Sequence, residues 1–322
     1  MRRVGVLIVG FGAPDSLEAV GPFMRELIGQ TPTPAVLEEV CRRYEAIGGR
    51  SPLLDIARQL GKEVARSLAA GGVDAFVEVG MRYSDPDIAE AVRRLAESGV
   101  QQVVMVTLSP FETQVTHREY RSAFAAAAAA YPGMTVYEAP PLSQLPAFVD
   151  LFSASARRAL ECAAPGALLV FSAHSLPLTE ADADRSYVDG LRRVADVVAS
   201  ASGLPAGRES RVIGGVEAYG STHGAHPWLI AYQSQGVRGG QWLGPSVGEV
   251  IDAAAATGAS GVVVVPLGFA TDHLETLYDL DIVASQRAAR AGLAFQRAGI
   301  PNAAPELARD VAWAVRAAIG ED

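Results

Sequence analysis

The sequence predicts an α/β protein built on parallel sheets with helices on both faces. Short runs of Val, Ile and Leu recur along the 322 residues, each followed by a longer Ala-, Leu-, Arg- and Glu-rich segment of helical spacing. Four such runs fall in each half, in the same order. A chain longer than about 250–300 residues outgrows a single core, so the doubling reads as two domains.

The first strand is Val4–Val9. It follows Arg2 and Arg3 in the manner of a signal peptide, but Gly10–Pro14 ends it far too early to cross a bilayer. Strands at Ala75–Gly80, Gln102–Leu108 and Thr135–Glu138 complete the first half, alternating with helices at Pro52–Ala69, Ile88–Ser98 and His117–Ala130. The six alanines Ala125–Ala130 need no explanation beyond helix propensity. Three prolines in Ala139–Pro146 forbid continuous helix or interior strand, which places the seam there: residues 1–145 form one domain and 146–322 the other, with the final helix packing back on the first. The second half runs through a helix at Phe148–Cys162, a strand at Ala167–Ser172 and a helix at Tyr187–Ala201. Strands at Trp228–Gln233, Gly261–Pro266 and Leu293–Gln296 follow. Leu204–His226, with five glycines and Pro205, reads as an insertion, either a loop or a small hairpin.

Charge and cysteines narrow the function classes. With 27 Lys+Arg against 36 Asp+Glu the net charge is −9, which lacks the basic footprint of a nucleic-acid binder. Cys41 and Cys162 sit in no C-x-x-C or Cys/His spacing, so neither a disulfide framework nor an iron–sulfur cluster is expected. The expectation is a cytoplasmic monomer without a transmembrane segment.

In open α/β sheets ligands bind beyond the carboxyl ends of the strands, so the residues after each run matter most. Gly10 and Gly12 suggest a dinucleotide loop, but Asp15 stands where its third glycine belongs. His174 closes a strand; it is either a satisfied core residue or a base able to take a proton near neutral pH. Asp272 and Glu275 have the spacing of a helix-capping pair. Capping leaves Asp279 unexplained, four residues beyond Glu275 on the same helical face, where a bound cation or proton would offset the repulsion. His223 and His226 read as an exposed loop pair rather than a metal site, and His117 as part of a solvated face.

Motifs in both halves resemble those of the ferrochelatase family. They are Tyr44–Leu53 (YEAIGGRSPL), Phe171–Pro177 (FSAHSLP), Gln233–Gly236 (QSQG) with Trp242–Pro245 (WLGP), and Pro266–Phe269 (PLGF) with Asp272–Asp281 (DHLETLYDLD), in the family's order and spacing across nearly the whole chain. The resemblance implies two Rossmann-like domains with four-stranded parallel sheets flanked by helices, a porphyrin cleft between them, and insertion of Fe2+ as a substrate with no tightly bound cofactor. It implies that His174 faces the pyrrole nitrogens as proton acceptor or metal ligand, that Glu275 is the opposing acid, and that Asp279 extends an acidic, metal-binding track. Phe11, Phe111, Leu267 and Phe269 are expected to grip the macrocycle, with Ser51, Arg82, Tyr83 and Tyr120 as polar partners for its propionates. Family members acting on coproporphyrin III often carry Tyr at the place of Phe11 and a basic pair near Leu27–Ile28. Arg25, Arg50 or the insertion would have to replace that charge. Val283 stands where relatives often have a third acid. The wording of the Tyr44–Leu53 motif and the short first domain favour coproporphyrin III over protoporphyrin IX. The rival readings are a cobalt or nickel chelatase and a non-catalytic porphyrin or haem carrier; transient contact with other haem-pathway enzymes accompanies the main one.

Overall fold

The structure is a computed structural model that describes residues 3–236 and 240–320. The chain divides into two compact units. Unit 1 comprises Met1–Ala147, Ala270–Leu274 and Pro301–Asp322; unit 2 comprises Phe148–Phe269 and Glu275–Ile300.

Unit 1 holds a four-stranded parallel sheet of β1 (Arg3–Gly10), β2 (Asp74–Met81), β3 (Gln102–Thr107) and β4 (Thr135–Glu138), in the order β2-β1-β3-β4. The apolar run that predicts β1 is a central strand: Val4 and Val6–Val9 are fully buried. Its side chains alternate between faces. Leu7 and Val9 join Val103 and Met105 of β3 beneath the helix Ile88–Glu97, which Asp87 caps by accepting from the Glu90 amide. Ile88, Ala91, Val92 and Leu95 form that helix's buried stripe. On the other face lies the helix Leu53–Ala70, whose Gly61 sits close over Ile8 and Val77, and beside it packs the C-terminal helix Pro305–Ala318.

Unit 2 contains the four parallel strands expected: β5 (Leu168–His174), β8 (Trp228–Gln233), β9 (Gly261–Val265) and β10 (Ala294–Arg297). The sheet is nevertheless six-stranded and mixed, in the order β10-β9-β5-β8-β7-β6, because the insertion forms the hairpin β6 (Arg208–Ile213) and β7 (Val216–Ser221), with β7 antiparallel to β8. Gly214 (φ 55°) and Gly215 (φ 87°) make the two-residue turn, where both central residues need positive φ. That turn decides between the loop and the hairpin.

His117 corrects the reading of a solvated face, being 1% exposed. Its Nδ1 accepts from the Thr113 amide at 3.3 Å, so in the neutral ring Nε2 carries the hydrogen and donates to Thr107 Oγ1 at 3.2 Å. Burial holds its pKa below the ordinary value; Arg121 adds to this and Glu112 and Glu138 oppose it. Because the fold favours the neutral ring, this stabilisation is complete above the unfolded-state value of about 6.5 and declines as pH falls below it. His117→Gln is therefore expected to flatten the loss of melting temperature between pH 7 and 5; an acid limb identical to that of the parent protein would contradict the assignment.

Candidate active site

His174 is the last residue of β5, in register with Gln233 at the end of β8. Its backbone is pinned: the buried Tyr187 hydroxyl donates to its carbonyl at 2.9 Å, the Ser175 amide donates to Gln233 O at 2.8 Å, and Ser175 Oγ donates to Leu243 O at 2.8 Å. Gly268 packs so tightly beside this strand that an added Cβ would lie 2.6 Å from Ala173 Cα. The imidazole Nδ1 donates to the Ser175 carbonyl at 2.5 Å, which leaves Nε2 as the titrating atom. Nε2 stands 3.4 Å from Glu275 Oε1, both side chains being about one-third exposed. Burial works against the charged imidazolium, but the charge and hydrogen bond of Glu275, the Ser175 carbonyl and Asp279 outweigh it and raise the His174 pKa to about 9.

Glu275 lies in a single helical turn, Leu274–Leu277, and its backbone carbonyl accepts from Gln233 Nε2 at 2.8 Å. The helix then widens: Asp279–Ala284 is a π-helical segment in which the Val283 amide donates to the Tyr278 carbonyl at 3.0 Å, five residues back. A straight α-helix would stack Glu275, Asp279 and position 283 on one face; the wide turn, which begins at Asp279, takes position 283 out of that stack. Asp279 Oδ2 instead accepts from Ser234 Oγ at 2.6 Å. His174 and Glu275 are thus an adjacent pair with Asp279 close behind. Among the described residues no three His, Cys, Asp or Glu side chains already close on a metal position. Asp272 is clasped by Asn302, whose Oδ1 accepts from the Asp272 amide and whose Nδ2 donates to Asp272 Oδ2, both at 2.8 Å.

Within unit 1, Phe11, Arg82 and Tyr83 come together. The Phe11 and Tyr83 rings are 4.7 Å apart, and the Arg82 guanidinium lies 4.6 Å over the Tyr83 ring. Phe11 is 40% exposed, as a wall residue requires. The Tyr83 hydroxyl donates to Glu119 at 2.5 Å, and Arg82 stands 3.8 Å from Glu26 and 4.0 Å from Glu119. Arg82, Tyr83, Phe23, Met81 and Glu26 line a cavity of about 510 Å3.

Other expected contacts are placed differently. Tyr120 is fully buried in the core with Leu7 and Phe124, its hydroxyl 3.4 Å from Ser109 Oγ, and burial drives its pKa far upward. Phe111, Leu267 and Phe269 are buried as well; for the last two, tight turns fold the chain back over the end of β9, the Leu267 amide donating to Val265 O at 2.8 Å and the Phe269 amide to Pro266 O at 3.1 Å. Ser51 is buried and accepts from the Leu53 amide, a structural role. Arg50 is paired with Asp55 at 2.8 Å. His226 Nδ1 lies 3.0 Å from the Ala167 carbonyl, which sets it apart from the exposed His223. Tyr187 and Glu119 are partners that sequence reasoning missed, and Gln233 and Ser234 were singled out only as part of the QSQG motif, with no role attached. Only Gln233 and Ser234 left a signal, as polar residues at a strand end.

Comparison with known proteins supplies the chemical context. The ferrochelatase family model matches residues 3–319. A coproporphyrin III ferrochelatase from Frankia alni is 36% identical over 93% of this chain and 76% of that protein. A ferrochelatase from Acidobacterium capsulatum is 32% identical over 95% of this chain and 91% of that protein. Among solved structures, SirB from Bacillus subtilis with Fe3+ aligns over 99% of this chain and 96% of its own with a TM-score of 0.56, at 11% identity, a likeness of fold alone. Among the described residues no helix is long and apolar enough to cross a membrane.

Proposed function

The chain belongs to the ferrochelatase family, and from that premise we propose that it inserts Fe2+ into coproporphyrin III, with His174 and Glu275 carrying the exchange of metal for protons. The observation that carries this reading is the His174–Glu275 pair: an imidazole whose Nδ1 is committed to a carbonyl, so that only Nε2 exchanges protons, 3.4 Å from a carboxylate. Metallation removes two pyrrolic protons as a dication enters, which calls for one basic nitrogen and for anionic oxygen beside it. Nε2 is the acceptor, taking the two protons one at a time and passing each to solvent through its exposed side. The Glu275 carboxylate stabilises the incoming cation, and Asp279, hydrogen-bonded to Ser234, adds negative charge one step back. A cation at Glu275 also weakens the attraction that holds a proton on His174, which frees Nε2 for the pyrrole hydrogen. In unit 1, Phe11, Tyr83 and Arg82 offer a ring face and a cation to the macrocycle edge and its propionates.

Several relatives are named coproporphyrin III ferrochelatases, and the wording of the Tyr44–Leu53 motif supports the same reading. Protoporphyrin IX, with fewer propionates, is the second reading; it is favoured by Arg50 being paired with Asp55 and Arg82 being flanked by Glu26 and Glu119. The same proposal has the protein act in the cytoplasm as a monomer without a resident cofactor or iron–sulfur cluster, meeting other haem-pathway enzymes transiently. Initial rates measured anaerobically with Fe2+ and each porphyrin decide the substrate. Coproporphyrin III is expected to be metallated several-fold faster; equal or reversed rates would move the assignment to protoporphyrin IX, and no metallation of either would end it.

A further inference from the structure

Two neighbouring residues at the end of β8 depart from what stability alone would select. Ser234 has φ 57°, one of two non-glycine residues with positive φ among those described, in a conformation that glycine would adopt without the Cβ penalty. Gln233 is 94% buried, its Oε1 lacks a hydrogen-bond partner, and Nε2 is turned to the Glu275 carbonyl. Both side chains reach one segment, Gln233 to the backbone of Glu275 and Ser234 to the carboxylate of Asp279 at 2.6 Å. Asp279 opens the π-helical turn, where the backbone leaves regular α geometry. Gln233 is also the register partner of His174.

We infer that Ser234 is a positioning residue, which with Gln233 ties the Glu275–Asp279 segment to the strand beside His174 and aims the Asp279 carboxylate. The left-handed backbone is what turns the serine hydroxyl toward Asp279, so the strain and the hydrogen bond are one device. Gln233 fixes where the helical turn begins, and Ser234 fixes where its first π-helical carboxylate points. The inference rests on the reading that Glu275 and Asp279 receive the cation.

Ser234→Gly separates positioning from folding, because glycine keeps the left-handed backbone and removes only the hydroxyl. The variant is expected to melt at or above the parent temperature and to keep its KM for porphyrin within about twofold, while its KM for Fe2+ rises about tenfold, the scale of losing a partner that orients a metal ligand. Ser234→Asn, which tolerates positive φ and retains a donor, is expected to recover most of that loss. Calorimetric titration with Zn2+ alone is expected to show weaker binding to the glycine variant in the same proportion. An unchanged KM for Fe2+ in Ser234→Gly overturns the inference, as does a matched rise in both KM values with a lower melting temperature, which marks a purely structural role. If the parent protein metallates neither porphyrin, the functional reading fails, and the Zn2+ titration alone then decides the positioning role: equal affinity in parent and variant overturns it.

Discussion

His174→Ala is expected to lower metallation by about two to four orders of magnitude, the usual scale for removing a general base, and to leave the fold in place. The side chain is partly exposed, and the position of its backbone does not depend on the ring: Tyr187 holds its carbonyl, and the Ser175 amide and hydroxyl anchor the next residue. Truncation therefore removes the proposed proton acceptor without opening a core cavity. Iron insertion is followed anaerobically by the change in porphyrin absorbance, and the fold by circular dichroism. Undiminished turnover would reject Nε2 as the acceptor. The metal-free protein gives a second readout. With its folded pKa raised to about 9, His174 contributes stability that is complete below the unfolded value of about 6.5 and lost as pH rises through 9. Thermal melts between pH 6 and 10 are expected to show that decline in the parent protein and its attenuation in His174→Ala; parallel curves would mean that the Glu275 pair does not couple to folding.

Gly268→Ala is expected to destabilise the protein by about 1–3 kcal/mol, the range for forcing an extra methyl into a close-packed core. The added Cβ would lie 2.6 Å from both Ala173 Cα and Ala173 Cβ, and a backbone contact cannot rotate away as a flexible side chain can. The Gly268 amide donates to Ser172 O at 2.9 Å, so relief requires that hydrogen bond to stretch or β5 to shift. Either displacement falls within two residues of His174, so turnover should drop along with the melting temperature. Gly133→Ala is the control: nothing lies within 4 Å of its Cβ position. Comparable losses in the two variants would show that crowding at Gly268 is not the cause.

The parallel strands were legible because a central strand covered on both faces must be an unbroken apolar run, and β1, β5 and β9 are such runs. His174 was legible because a polar residue closes one of those runs. Glu275 and Asp279 were found by their spacing, but the π-helical turn between Asp279 and Ala284 was not, since nothing in a four-residue interval distinguishes α from π hydrogen bonding. Tyr120, Phe111 and Leu267, expected beside the macrocycle, are buried, which the sequence did not reveal for a different reason. An apolar side chain near a strand end serves equally as pocket wall or core, and only the path of the following turn decides. His117 misled through its neighbours: Arg118 and Glu119 are polar, while the ring between Thr107 and Thr113 points inward. Arg82 and Tyr83 were located correctly after β2, but their engagement by Glu26 and Glu119 comes from distant segments that no local pattern reveals.

The division of the chain also bears on its synthesis. Pro301–Asp322 belongs with Met1–Ala147, and the helix Pro305–Ala318 packs beside Leu53–Ala70. A nascent polypeptide that has emerged only to the proline-rich seam therefore carries a first unit with one flank uncovered, and it stays so until the helix Pro305–Ala318 has been made. A fragment ending near Pro146 would lack that covering helix, so a single cut in the gene does not separate the two units.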